Sequence, residues 1–191
     1  MGLSTVLGQQ LVFALLGLGI AMWFGVWDSL ILRPHWWVIV TGVIFGVGLI
    51  ALAELFTRLF PVVMDQIEQA MLQTWSKIKI RWTWLTVVSL SVAAGVGEEL
   101  LFRAALQGVL VAHLPLLVAL VLASLLFGLA HWISLAYVLV IAALGLVFGL
   151  VYHFTSSLLL VIIGHTVYDI YALRHLGDKL AVMRQAEQVK Y

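Results

Sequence analysis

Long apolar runs alternate with short polar segments along the 191-residue chain. Each run contains about 20 mainly apolar residues, which is the length that a helix needs to cross the hydrocarbon core of a bilayer. Within a run the apolar residues are continuous, whereas a strand of a transmembrane barrel alternates apolar and polar residues. The pattern therefore predicts an all-α, polytopic transmembrane helical bundle of about six spans, at residues 5–26, 36–57, 83–111, 115–133, 135–153 and 156–174.

The segment between the second and third runs has a different pattern. In residues 61–81, Met64, Ile67, Met71 and Trp75 recur at helical spacing, and glutamine and acidic residues occupy the other side. This spacing predicts an amphipathic helix, and we expect it to lie in the cytoplasmic interface of the membrane. A polar helix that simply connects two spans is an equally good interpretation.

The composition supports a membrane location. Hydrophobic residues make up 64% of the chain and charged residues 10%, whereas a soluble domain is about half apolar and about a quarter charged. A chain of this length cannot bury that much apolar surface, so the surface must face lipid. The net charge of +1 argues against nucleic-acid binding, and the absence of cysteine excludes disulfides and thiolate metal ligands. The first run lacks a basic leader and a cleavage site, so we interpret it as a retained span.

Basic residues predict the orientation of the spans. Cytoplasmic loops are enriched in lysine and arginine, and the basic residues concentrate after the second and sixth runs: Arg58, Lys77, Lys79, Arg81, Arg174, Lys179, Arg184 and Lys190. Six crossings place both groups, and both termini, on the cytoplasmic side. We expect one membrane domain, 1–191, with two N-terminal spans and the amphipathic segment (1–82), a four-span catalytic core (83–174) and a cytoplasmic tail (175–191).

A few ionisable residues interrupt the apolar runs. Charged side chains are costly in the hydrocarbon region, so an ionisable residue inside a span is a candidate functional residue. With the ends of the runs set aside, six remain on the third, fourth and sixth runs: Glu98, Glu99, Arg103, His131, His165 and Asp169. The cost of burying such groups alone predicts that those on different helices meet in one cluster.

Helical geometry separates the two adjacent glutamates. Glu99 and Arg103 are four residues apart, so they can form an ion pair along the helix, and we interpret this pair as structural. Glu98 faces away from Arg103 and needs partners on other helices. Its own face carries small residues that allow a second helix to approach closely: Ser91, Ala94, Gly95 and Ala105.

A cluster of this kind contains the groups that hydrolysis requires. A glutamate beside two imidazoles can hold a water molecule and remove its proton, which is general-base catalysis. A histidine, including one linked to Asp169, can donate a hydrogen bond to an oxyanion. Alternatively, Glu98, His131 and His165 could ligate a zinc ion, although the chain lacks the HExxH string of many zinc proteases.

The depths of these residues in the membrane give a further expectation. If the third span begins near Trp82, Glu98 lies about 24 Å along it at about 1.5 Å per residue. His131, by contrast, lies close to the cytoplasmic end of the fourth run. Because these depths disagree, we expect the third span to begin in the interface or to tilt strongly. The cluster should then lie in the cytoplasmic half of the membrane.

Three short motifs follow one another on the predicted spans: EELLFR, with Glu98, Glu99 and Arg103; FGLAH, with Phe127 and His131; and HTVYD, with His165 and Asp169. In order and spacing they resemble the CPBP group of intramembrane proteases. This group comprises the CAAX-processing endopeptidases, the prokaryotic Abi proteins and the bacteriocin self-immunity proteins. The resemblance extends over about residues 90–173.

The resemblance implies an endopeptidase that cleaves a membrane-associated or prenylated peptide. It implies that Glu98 activates water and that three further residues complete the site: His131, His165 and Asp169. Glu99, Arg103 and Phe127 would support them. The CAAX enzymes usually have Asn where this chain has Asp169, which favours the Abi branch and a prokaryotic cell membrane.

The resemblance does not decide whether the protein uses a metal ion. Members of the family are often described as metalloproteases, and a metal-free glutamate mechanism is also proposed. The expected cofactor is therefore either none or a divalent cation such as Zn²⁺, held by Glu98, His131 and His165. The expected partners are membrane lipid and a membrane-associated peptide or protein.

Two functions from other classes also fit these residues. A non-catalytic bacteriocin-immunity or membrane assembly protein would keep the polar cluster for helix packing. A proton-coupled transporter would use the same carboxylates and imidazoles as a relay. The transporter is the weaker alternative, because the sequence shows neither an inverted repeat nor paired broken helices.

Overall fold

The computed structural model describes residues 2–30, 32 and 34–188, except for the side chains of Trp27, Glu187 and Gln188. Lys190 of the predicted tail therefore lies outside the described residues. The described chain is helical and contains no strand. Its elements are α1 (Leu3–Trp23), a 3₁₀ turn (Trp27–Leu30), α2 (Trp36–Leu59), α3 (Pro61–Ser76), α4 (Trp84–Glu99), a π-helix (Leu100–Gln107), α5 (Gly108–His113), α6 (Leu116–Ala130), α7 (Leu135–Thr155) and α8 (Leu158–Gln188).

Four helical stretches in the described residues are long and apolar enough to cross a membrane: α1, α2, the continuous stretch Trp84–His113, and α7. Together with the other apolar helices they identify an integral membrane protein. The predicted total of six spans is not confirmed. α6 is apolar but only 15 residues long, and α8 is long enough but carries His165 and Asp169 in its apolar half.

The third predicted span, which was expected to begin in the interface or to tilt strongly, contains a π-helix. The helix begins at Trp84, with the side chain of Thr83 accepting a hydrogen bond from the backbone N–H of Thr86. It changes to π geometry at Leu100, directly after Glu99, and returns to α geometry at Gly108. A π segment places more residues in each turn, so it redirects the side chains that follow Glu99.

The end of α6 explains how Glu98 and His131 reach one depth. α6 ends at Ala130, where the predicted span continued to residue 133, and His131 caps it with its N–H bonded to the carbonyl of Gly128. The chain turns at Leu114, between α5 and α6. Glu98 lies about as many residues before this turn as His131 lies after it. The disagreement in depth came from the assumption that α6 crosses the whole membrane, for which its 15 residues are too few.

Two further predicted boundaries differ from the structure. The amphipathic helix ends at Ser76 and not at residue 81. Its amphipathic pattern is confirmed, since Ile67 is buried against the bundle while its polar side is exposed. The segment predicted as a tail after residue 174 continues α8 to Gln188, and its Leu176 and Leu180 are buried.

α8 packs against α2 and α4, α6 packs against α7, and α1 packs against α4 and the π-helix. Glycines allow the helices to approach closely, as the small face of Glu98 predicted. A Cβ added to Gly95 would lie 2.5 Å from Thr166 Oγ1 on α8. A Cβ added to Gly128 would lie 2.5 Å from the carbonyl oxygen of Val138 on α7. This packing brings the end of α4 onto the apolar half of α8, and Phe127, near the end of α6, reaches the ring of His165.

Candidate active site

Two buried glutamates lie at the junction between α4 and the π-helix. Glu98 is 3% exposed and Glu99 is fully buried. A carboxylate in such a place is costly unless other polar groups surround it. Each glutamate faces a different set of partners.

Glu98 faces the two histidines that the sequence singled out. Its Oε2 lies 3.3 Å from His131 Nε2 and 3.7 Å from His165 Nε2. His165 Nε2 is also 3.6 Å from Asp169 Oδ2. The structure thus brings together all four residues predicted as catalytic, although their catalytic role stays a prediction. The His131 side chain is 25% exposed and that of Asp169 is 20% exposed, so the cluster can be reached from their side.

The hydrogen bond of His131 to the backbone determines its tautomer. His131 Nδ1 lies 2.8 Å from the carbonyl oxygen of Phe127. Since a carbonyl oxygen only accepts, Nδ1 carries the proton. Nε2, the nitrogen that faces Glu98, is therefore an acceptor when the imidazole is neutral and a donor when it is charged. A neutral His131 beside a Glu98 carboxylate needs a hydrogen-bond donor between them, such as a water molecule.

Glu99 links Arg103 to His165. Its Oε2 is 3.2 Å from Arg103 Nε, which confirms the predicted ion pair. Its Oε1 is 2.7 Å from His165 Nδ1, a contact that the sequence analysis missed. The nearest carboxylate to His165 is therefore Glu99 and not Asp169. Because His165 lies between the adjacent glutamates, each of its two nitrogens faces a different carboxylate.

Aromatic rings enclose the guanidinium of Arg103. The group is 1% exposed and lies 4.5 Å from the ring centroid of Phe127 and 5.5 Å from that of Phe148. Cation–π attraction is strongest when the cation is desolvated, as here. The same two rings contact the imidazole of His165. Phe127, the first residue of the second motif, therefore packs between Arg103 and the histidines.

A residue outside the three motifs also contacts Glu98. Gln10 on α1 donates a hydrogen bond from Nε2 to Glu98 Oε1 at 2.9 Å, and Gln10 itself is 9% exposed. Gln10 is uncharged, so the cost of burying charge, which singled out the ionisable residues, did not point to it. A glutamine in the middle of an apolar run was a usable signal, because its amide also needs a partner in hydrocarbon.

The donor atoms of the cluster bear on whether it can hold a metal ion. Glu98 Oε2 lies 3.3 Å and 3.7 Å from the two imidazole nitrogens, separations comparable to those of ligands around one zinc ion with bonds of about 2 Å. Nevertheless, no group of three or more His, Asp or Glu side chains in the described part of the chain is arranged to hold a metal ion. The described residues therefore give no support for a metal ion, and the ligand set Glu98, His131 and His165 stays a prediction.

Comparison with known proteins bears on the core of the chain. Residues 80–171 match the family described as "Rce1-like: Type II CAAX prenyl endopeptidase Rce1-like". The matched region is a little under half of the chain and contains all three motifs. Comparisons with curated proteins and with solved structures gave no match. This match supports the resemblance of residues 80–171 to the CPBP group of CAAX-type proteases.

Proposed function

We propose that this protein is an intramembrane endopeptidase that hydrolyses a peptide bond in a membrane-associated peptide or protein. One observation carries the proposal. Glu98 Oε2 is buried and has no hydrogen-bond partner among the described residues, yet it faces the Nε2 atoms of His131 and His165. A water molecule at this position would lie within hydrogen-bond reach of Glu98 Oε2, as a general base requires, and beside the two imidazoles.

The reaction follows from these positions. Glu98 Oε2 takes a proton from the water, and the oxygen of the water forms a bond to the carbonyl carbon of the substrate. The oxyanion then receives a hydrogen bond from Nε2–H of His131 or His165 in its charged, imidazolium form, because the Nδ1 atoms already face Phe127 and Glu99. When the C–N bond breaks, the proton on Glu98 passes to the leaving nitrogen. The products are a carboxylic acid and an amine, and Glu98 is again a carboxylate.

The remaining residues position the imidazoles. The contact of Glu99 Oε1 with His165 Nδ1 orients that ring, as a carboxylate behind a histidine does in other hydrolases. Arg103 holds Glu99 from the other side. Asp169 lies beside the same ring at the partly exposed edge of the cluster, where it is placed to contact a substrate that enters there.

A cleavage assay with purified protein in lipid vesicles tests the proposal. The substrates are one CAAX-type peptide in farnesylated form and the same peptide anchored by an unrelated apolar segment, with products identified by mass. We expect wild-type protein to cleave at least one of them, and His131→Ala to lose about 100-fold or more of the rate. The matched control is His113→Ala, since His113 is exposed at the end of α5.

The two variants separate the possible results. Equal loss in both variants, or no loss in His131→Ala, would overturn the assignment of the site. A wild-type protein that folds, inserts and cleaves neither peptide would favour the non-catalytic alternative. Cleavage of only the farnesylated peptide would assign a prenylated substrate, and cleavage of both would show that the lipid group is dispensable.

A further inference from the structure

We propose that Gln10, on the first span, is a positioning residue for Glu98. Its side-chain amide holds one carboxylate oxygen, so that the other oxygen faces the two imidazoles. The inference rests on the proposed function, in which Glu98 Oε2 is the base. Gln10 lies far outside the three motifs and outside the region of the family match.

The two oxygens of Glu98 have different surroundings. Oε1 accepts the hydrogen bond from Gln10 Nε2 at 2.9 Å. Oε2 has no hydrogen bond among the described residues and faces His131 and His165. Because the Gln10 donor occupies Oε1, a proton taken from water goes to Oε2. Gln10 thus selects the oxygen that acts as the base and fixes the rotation of the carboxylate plane.

Close packing of α1 against the third span fixes the position of Gln10. A Cβ added to Gly97 would lie 2.5 Å from the backbone carbonyl of Gln10, and a Cβ added to Gly17 would lie 2.7 Å from the backbone of Leu100. Two glycines, one on each helix, therefore allow the backbones to touch on both sides of Glu98. At that separation the amide of Gln10 reaches Glu98 directly.

A bond that only ties α1 to α4 would have different consequences. Its loss would lower the stability of the protein and leave the turnover of the folded molecules unchanged. Loss of a positioning bond lowers kcat, because the carboxylate can rotate away from the water, while substrate binding is unaffected. The two roles are therefore separated by the change in kcat and KM at a temperature where all variants are folded.

The adjacent glutamine provides a matched control. Gln9 belongs to the same helix and is exposed, whereas Gln10 is buried. We expect Gln10→Leu to lower kcat by about 10- to 100-fold, the effect of losing one hydrogen bond to a charged group. Its KM should stay within about twofold of wild type. Gln9→Leu, which makes the same chemical change, should leave both constants unchanged.

A spectroscopic measurement tests the contact without any substrate. In protein with ¹³C-labelled glutamate carboxylates, the infrared band of Glu98 is identified as the band lost in Glu98→Gln. Gln10→Leu should shift this band and Gln9→Leu should not. Wild-type kcat in Gln10→Leu, or an unshifted Glu98 band, would overturn the inference. If wild-type protein cleaves no peptide, the proposed function fails, and the infrared band alone decides whether Gln10 holds the carboxylate.

Discussion

The buried pair of Glu99 and Arg103 should make a large and coupled contribution to stability. The two charges are 3.2 Å apart and almost fully buried. Removing one partner of such a pair leaves an uncompensated charge in the protein and costs about 3–5 kcal/mol. We therefore expect Glu99→Gln and Arg103→Met each to lower the free energy of unfolding by that amount. Glu99→Gln also weakens the contact with His165, so its loss should lie at the upper end.

The double variant distinguishes an ion pair from two independent effects. With both charges removed, no charge is stranded, so Glu99→Gln/Arg103→Met should lose less than the sum of the single variants by about 2 kcal/mol. Some loss remains, because methionine cannot replace the cation–π contact of Arg103 with Phe127. The assay is equilibrium unfolding in mixed micelles, followed by the fluorescence of the eight tryptophans.

An exposed pair of the same spacing is the control for this cycle. Arg174 and Asp178 are also four residues apart and 2.9 Å from each other, but their side chains are 39% and 59% exposed. Exposed pairs on a helix contribute about 0.3–0.5 kcal/mol, so Asp178→Asn should be nearly neutral. A coupled ion pair is refuted if Glu99→Gln lowers the free energy of unfolding as little as Asp178→Asn, or if the losses in the buried cycle simply add.

Three further predictions concern packing, metal and orientation. Gly97→Ala should destabilise the protein by about 1–3 kcal/mol in the same unfolding assay, because the added methyl meets the backbone of α1. Gly8→Ala should not destabilise it, because no atom lies within 4 Å of the added Cβ. Equal effects of the two variants would contradict this packing. Dialysis against a chelator should leave cleavage unchanged, because no three donors of the described chain are arranged for a metal ion; loss of activity that zinc restores would contradict this. Since the chain has no cysteine, Lys79→Cys and His113→Cys can each be labelled alone with an impermeant maleimide. In intact cells only His113→Cys should react. The opposite result would reverse the predicted orientation.

The sequence predicted the helices well where an apolar run begins and ends with a change in composition. α2 begins at Trp36, the predicted start, and α7 begins at Leu135. Prediction from the sequence failed where tertiary contacts decide the end of a helix. α8 continues past Arg174 because Leu176 and Leu180 are buried in the bundle, although the charges around them are typical of a solvated tail.

The sequence predicted which residues form the candidate site, but only some of the contacts between them. The motifs named Glu98, His131, His165 and Asp169, and the cost of burying each alone predicted that they meet. The contact of Glu99 with His165 could not be derived, because it depends on how α4 and α8 pack and not on spacing along one helix.

Gln10 was missed for a different reason. Its contact depends on the packing of a span that carries no motif, and helix periodicity says nothing about which helices are neighbours. The division of the chain at residues 82 and 83 stays a prediction. Even so, Gln10 shows that the contacts of Glu98 extend beyond the predicted four-span core.

The turnover of Glu98→Gln tests the central claim most directly. The carboxamide is nearly the same size as the carboxylate but cannot take a proton from water, so kcat should fall by at least about 100-fold. Glu68→Gln makes the same change on α3, at an exposed pair with Lys179, and should keep wild-type kcat. A Glu98→Gln protein that folds and retains kcat within about threefold of wild type would contradict the account.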